Sequence, residues 1–306
     1  MWGWCCWWLR RSPMRAGPHR ARSTGLPRRS FSWAVLPSAV LRPLLQAGAP
    51  DSSPIRTRLR FNGRSPACAC LCPPSWRAQW HLRAGVDAMT RTLKIDLFTD
   101  VSCPWCLIGT ARLDAAIERL PDDVTVEIAR HPFQLAPDTP KGGVVVADML
   151  REKYGRDPEP MWAQVEAAAA DAGVPLRMAV QPMAYDTAAA HTLVRLAPIE
   201  RQHRLGNAIA NAYFLEGRNT SDPDVLAEIA GSEGLDPETS RATVLDPEAL
   251  EDTRRMARDA AAHGINGVPY FILNGALAFS GAQPDAIFDQ AIEMALDPEK
   301  LKAARG

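Results

Sequence analysis

Beyond residue 88 the chain is short of cysteine: of seven, only Cys103 and Cys106 lie there, the others being Cys5, Cys6, Cys68, Cys70 and Cys72. A disulfide framework is thereby excluded for the body, and a spaced pair standing alone points to redox or metal chemistry. Lysine is missing from residues 1–88, which hold 14 arginines against two acids, Asp51 and Asp87. From Met89 onward there is no apolar run of transmembrane length, no internal repeat and no low-complexity tract, so a soluble body is expected. The formal net charge of zero hides an asymmetry, since residues 89–306 carry 21 basic and 33 acidic side chains, a net of −12. An acidic body offers no electrostatic reason for binding nucleic acid or anionic membrane, and neither is expected as a partner.

Residues 1–88 hold seven of the nine tryptophans and ten prolines, without periodicity long enough to build an element. Three readings fit such a segment: a disordered basic leader, a targeting peptide, or translated sequence upstream of the true start. The opening MWGWCCWWLRR places its short apolar stretch before the positive charges, opposite to the secretory order. Met89 is the expected natural start, because the first good strand follows it at once. The CACLC run at 68–72 has no histidine or second cysteine pair at zinc spacing nearby, so no metal site is expected there.

The body reads as an α/β protein. LKIDLFTD, from Leu93 to Asp100, is a buried strand, and LIGTARLDAAIERL after SCPWC is a helix stopped by Pro121. VTVEIARH, with Val124, Val126 and Ile128 inward, closes a parallel βαβ unit over 89–139. Residues 140–236 form a wholly helical insertion, with segments near 144–155, 159–172, 184–197, 201–216 and 222–234. Residues 237–306 read αββα: a helix over 247–263, the strands GVPYFILN and LAFSG, and a closing helix with Pro284 in its first turn. A four- or five-stranded sheet with helices on both faces is predicted.

Cys103-Pro104-Trp105-Cys106 sits where a strand gives way to a helix. The first sulfur then lies at the helix N-terminus, where unpaired N–H groups and the macrodipole favour an anion. Thiol–disulfide exchange needs that thiolate, and thiols in such motifs have pKa values of about 3.5 to 7.5. Cys103 is the predicted nucleophile and Cys106, one turn on, the resolving thiol. Half a zinc site and two inert core cysteines are the competing readings. Trp105 is expected on an apolar docking surface. His131 is read as a proton shuttle or a structural histidine, Asp100 as a proton acceptor for Cys106 or a turn cap, and Ser280-Gly281-Ala282-Gln283 as a turn near the site.

A CxxC on the first helix with Val268-Pro269 opening a later strand resembles the thioredoxin superfamily pattern. The blocks DVSCPWCLIG, RHPFQLAPD, AHTLVRLA, AYFLEGRNTSD, INGVPYF and FSGAQP, in that order, resemble the FrnE-like branch of the DsbA family. Leu107 departs from that pattern, which often has an aromatic residue there. The resemblance implies a thioredoxin-like fold with a large helical insertion, a cis bond at Val268–Pro269, and substrate docking on Pro104, Trp105, Val268 and Pro269. It implies a thiol–disulfide oxidoreductase acting on protein or peptide thiols and disulfides, with no cofactor beyond its own redox-active pair. A kappa-type glutathione transferase or 2-hydroxychromene-2-carboxylate isomerase, using glutathione, is the alternative; such enzymes generally carry serine at the first motif position. A non-catalytic chaperone module is a third. A cytoplasmic location is expected, with an oxidising compartment the alternative should the leader be cleaved.

Overall fold

The computed structural model describes residues 91–305. The expectations for residues 1–88, the Met89 start and the CACLC cysteines lie outside the described residues. Strand β1, Arg91–Thr99, forms where alternation puts Leu93, Ile95 and Leu97 on one face, and all three are buried. Helix α1, Pro104–Glu118, crosses to β2, Val124–Pro132, which runs parallel to β1 with Ile128 opposite Ile95.

Two short strands, β3 (Val144–Val145) and β4 (Met183–Ala184), pair with each other outside the main sheet. Between them run α2 (Val146–Tyr154), α3 (Glu159–Asp171) and a 3-10 turn at Met178–Val180. This strand pair corrects the wholly helical reading of the segment, because strands of two residues are too short to show a period of two. Helix α4, expected from residue 184, starts at Ala188 and ends at Leu196.

Helices α5 (Ile199–Glu216), α6 (Pro223–Ser232), α7 (Pro237–Leu245) and α8 (Pro247–Ala262) follow. Strands β5 (Tyr270–Leu273) and β6 (Leu277–Ser280) then precede α9 (Asp285–Leu296) and α10 (Pro298–Arg305). The C-terminal part is therefore ααββαα, not αββα, and the additional α7 packs on α6 and α4.

The main sheet has four strands in the order β2-β1-β5-β6, with β5 antiparallel to both neighbours. One face buries Leu93, Ile95, Leu97 and Phe271 against Leu113 of α1 and Phe288 of α9. The other carries Phe98 and Tyr270 toward Ala260 and Ala261 of α8. Helices α4, α5 and α8 also pack along β2. Among the described residues no helix is long and apolar enough to cross a membrane.

Candidate active site

Cys103 is the N-cap of α1, in extended conformation, and Pro104 fills the first turn, where its missing N–H leaves no bond unmade. The amides of Cys106 and Leu107 donate to the Cys103 carbonyl at 3.0 and 3.2 Å, so both cysteines are fixed by the first turn of the helix. Both are free thiols and nearly covered, 4% and 3% exposed.

The loop before β5 closes over them. The Val268–Pro269 peptide bond is cis, and Cys103 Sγ lies 3.8 Å from the Val268 carbonyl oxygen that accepts its hydrogen. Gly109 of α1 lets the loop in: a Cβ there would stand 2.7 Å from Pro269 Cγ. The Gly281 amide donates to Pro269 O at 2.8 Å, and Arg112 Nη1 donates to the carbonyls of Ala282 and Gln283. The Ser280–Gln283 turn thus braces the proline loop and stays out of the cleft lining.

The two sulfurs face different spaces. Cys103, Pro104, Trp105 and Val268 line a cleft of about 1260 Å³ including its mouth, whose walls include Met149, Trp162, Met178, Tyr185 and Phe214. Cys106 instead lines a second cavity, behind α1, together with Thr110 and Asp114. Residues 106, 110 and 114 share one helix face because four residues make about one turn.

Burial pushes the Cys106 thiol well above its ordinary range, and the hydrogen bond and charge of Cys103 push it further. In the dithiol state, Cys106 keeps its proton. Asp100, 1% exposed, accepts from Ser102 N at 3.2 Å and from Leu135 N at 2.7 Å, tying the turn before α1 to the loop after β2. Burial pushes its carboxyl up, but the His191 contact and the two amides outweigh that, leaving it below the usual value. His191 Nε2 stands 3.4 Å from Asp100 Oδ1 without making a hydrogen bond. His131 is engaged elsewhere: its ring stacks on Phe98 with centroids 4.5 Å apart, and Nε2 meets Asp96 at 2.8 Å.

Two residues near the pair escaped the sequence reading. His191 lay in the AHTLVRLA block but was given no role of its own. Arg130 carried a mark, since alternation puts it on the inward face of β2 with Val124, Val126 and Ile128, a place where a cation is unexpected.

A helix N-terminal dithiol under a cis-prolyl loop, on this sheet order, agrees with what residues 94–293 match as a sequence: the DSBA-like thioredoxin domain. The chain belongs to the DsbA-like thioredoxin family. It is 27% identical over 215 residues to YwbO of Bacillus subtilis, spanning 69% of this chain and 100% of that protein. Among solved structures, it is similar to a probable DsbA oxidoreductase from Streptomyces coelicolor, with 34% identity, a TM-score of 0.60, and coverage of 66% and 89% of the two chains. A 2-hydroxychromene-2-carboxylate isomerase shares the fold at 17% identity and a TM-score of 0.51, over 65% of this DsbA-like chain and 94% of its own.

Proposed function

We propose that this protein is a thiol–disulfide oxidoreductase of the FrnE-like branch, in which Cys103 attacks a substrate disulfide and Cys106 resolves the mixed disulfide. The observation that carries the reading is the division of the pair: Cys103 opens on the cleft, while Cys106 is turned away and protonated. A nucleophile must meet its substrate, whereas a resolving thiol needs only its neighbour.

The cleft supports protein or peptide substrates with apolar side chains beside the reacting sulfur. Trp105 and Trp162 give aromatic walls, Met149 and Met178 adaptable ones. The prolyl loop, with Val268 and Pro269, offers backbone to an extended segment. The glutathione-dependent reading is disfavoured by the same walls: among the described residues no Lys, Arg or His lines the cleft, so the carboxylates of glutathione meet no cation from them there.

The experiment is a redox titration of the purified protein with thiol alkylation and peptide mass analysis. An internal Cys103–Cys106 bridge is expected at oxidising poise. Cys106→Ser should accumulate mixed disulfide on Cys103, and Cys103→Ser should lose turnover altogether. Absence of that bridge at every poise sinks the proposal. A cytoplasmic site of action belongs to it, and predicts that the pair is mostly dithiol when alkylated in intact cells.

A further inference from the structure

The cavity behind α1 holds a buried cation that, among the described residues, touches no carboxylate. Arg130, 7% exposed, donates through Nη1 to Thr99 Oγ1 at 3.4 Å and through Nη2 to Asn207 Oδ1. Its Nη2 also lies 3.4 Å from His203 Nδ1, while Nε finds no partner. All these partners are neutral: burial lowers the pKa of His203, with the Arg130 charge adding to the effect. Among the described residues no carboxylate oxygen lies within 4.0 Å of the guanidinium. Asp114 is one step removed, held by His203 Nε2 at 2.6 Å and Asn207 Nδ2 at 2.9 Å.

The site is built for this side chain. Gly206 of α5 leaves room, since a Cβ there would be 2.8 Å from the guanidinium carbon. Arg130 and Cys106 line the same space of about 730 Å³ including its mouth, whose walls also include Gly173, Val174 and Pro175. Burying a cation without a directly paired anion is costly, and such groups cluster at sites where charge forms during the working cycle.

We propose that Arg130 is a positioning residue for the resolving half-reaction, its charge stabilising across this cavity the thiolate that Cys106 must become. The inference rests on the dithiol reading above. Cys106 gives its proton to solvent in the cavity, and its sulfur lone pair forms the bond to Cys103 Sγ. The bond from Cys103 to the substrate sulfur breaks, and the electron pair leaves on that sulfur, which takes up a proton. The full turnover reduces one substrate disulfide to two thiols and oxidises the protein dithiol to one disulfide. In the reverse direction Cys106 is the leaving group, and the same charge assists its departure.

Cys103 and Asp100, from the turn before α1, act on Cys106; Asp114 of α1 lines the same cavity, and His203 of α5 lies beside Arg130. Burial pulls Arg130 down to about 10, with the charges of Asp114 and Cys106 opposing, so it remains cationic at neutral pH.

The test is a single turnover of the full-length reduced protein with a small aromatic disulfide, followed across pH. Attack by Cys103 releases one aromatic thiol and resolution by Cys106 releases the second, so the two steps are read separately. In Arg130→Met the second release should slow about tenfold at neutral pH, its pH profile moving up by about one unit. Arg130→Lys should recover most of that rate. Should Arg130→Met fail to fold, Arg130→Gln against Arg130→Lys makes the same comparison of charge. A second release equally fast with and without the cation overturns the role of Arg130 while leaving the dithiol reading standing. No first release from the unaltered protein overturns the dithiol reading itself, and this inference with it.

Discussion

Asp100 joins three parts of the site with one carboxylate: Ser102 before α1, Leu135 after β2, and His191 on α4. Its carboxyl lies below the ordinary value, because burial is outweighed by the His191 contact and two backbone donors. A carboxyl depressed in the fold contributes stability above its unfolded pKa of about 3.9, and that stability is lost as pH falls through the lower folded value. Asp100→Asn should therefore cost about 1–3 kcal/mol at pH 7, the price of leaving buried donors poorly matched. The gap between the two proteins should narrow below about pH 4, as the unfolded carboxyl takes up its proton before the native one does. Urea midpoints of both across a pH series check this, and a gap constant down to the acid limb contradicts it. Asp100 and the two cysteines were legible because they form one contiguous stretch. The roles of Arg130 and His191 were not, even though alternation marks Arg130 as out of place, since what matters about them is the neighbour each meets across the fold.

At the scale of elements, helix starts repeat one device. Asp222, Asp236, Asp246 and Asp297 each precede a proline, and each carboxylate accepts from amides in the following turn. Proline in the first turn costs no bond and the aspartate satisfies an orphan donor. Asp222 is the informative one, since α6 places Leu226, Ile229 and Ala230 in the core beside Ala190 and Leu205. Asp222→Ala should lower stability by about 1 kcal/mol and Asp222→Asn by much less, read from denaturant midpoints. The same device marks α7 and α10, so both helices missing from the sequence reading had a signal at Asp236-Pro237 and Asp297-Pro298. Their short apolar faces hid them from periodicity. The pair of β3 and β4 had no such mark, because it joins residues 144–145 to 183–184, with no local turn between them. The long elements β1, α1, β2, α5 and α9 were legible because each shows several repeats of its own period.

Across the whole molecule, the helical layer shares its core with the helix that bears the cysteines. Leu107 and Ile108 of α1 pack with Val165 of α3 and with Ala210, Tyr213 and Phe214 of α5. Val101, two residues before Cys103, is buried among Leu193 of α4, Ile209 of α5 and Leu226 of α6. Neither layer can come apart without exposing the apolar surface of the other, so the thiols cannot stay shielded while the helices melt. Phe214, 2% exposed, sits at that junction. Phe214→Ala should cost about 3–5 kcal/mol, the range for emptying a buried aromatic site. The loss should move two probes equally: far-ultraviolet circular dichroism, which sees the helices, and alkylation of Cys106, read by peptide mass. One cooperative unit requires coincident transitions in the variant as in the parent. Helix melting that precedes exposure of Cys106 separates the layers, and leaves the walls of the cleft able to move while the dithiol stays covered.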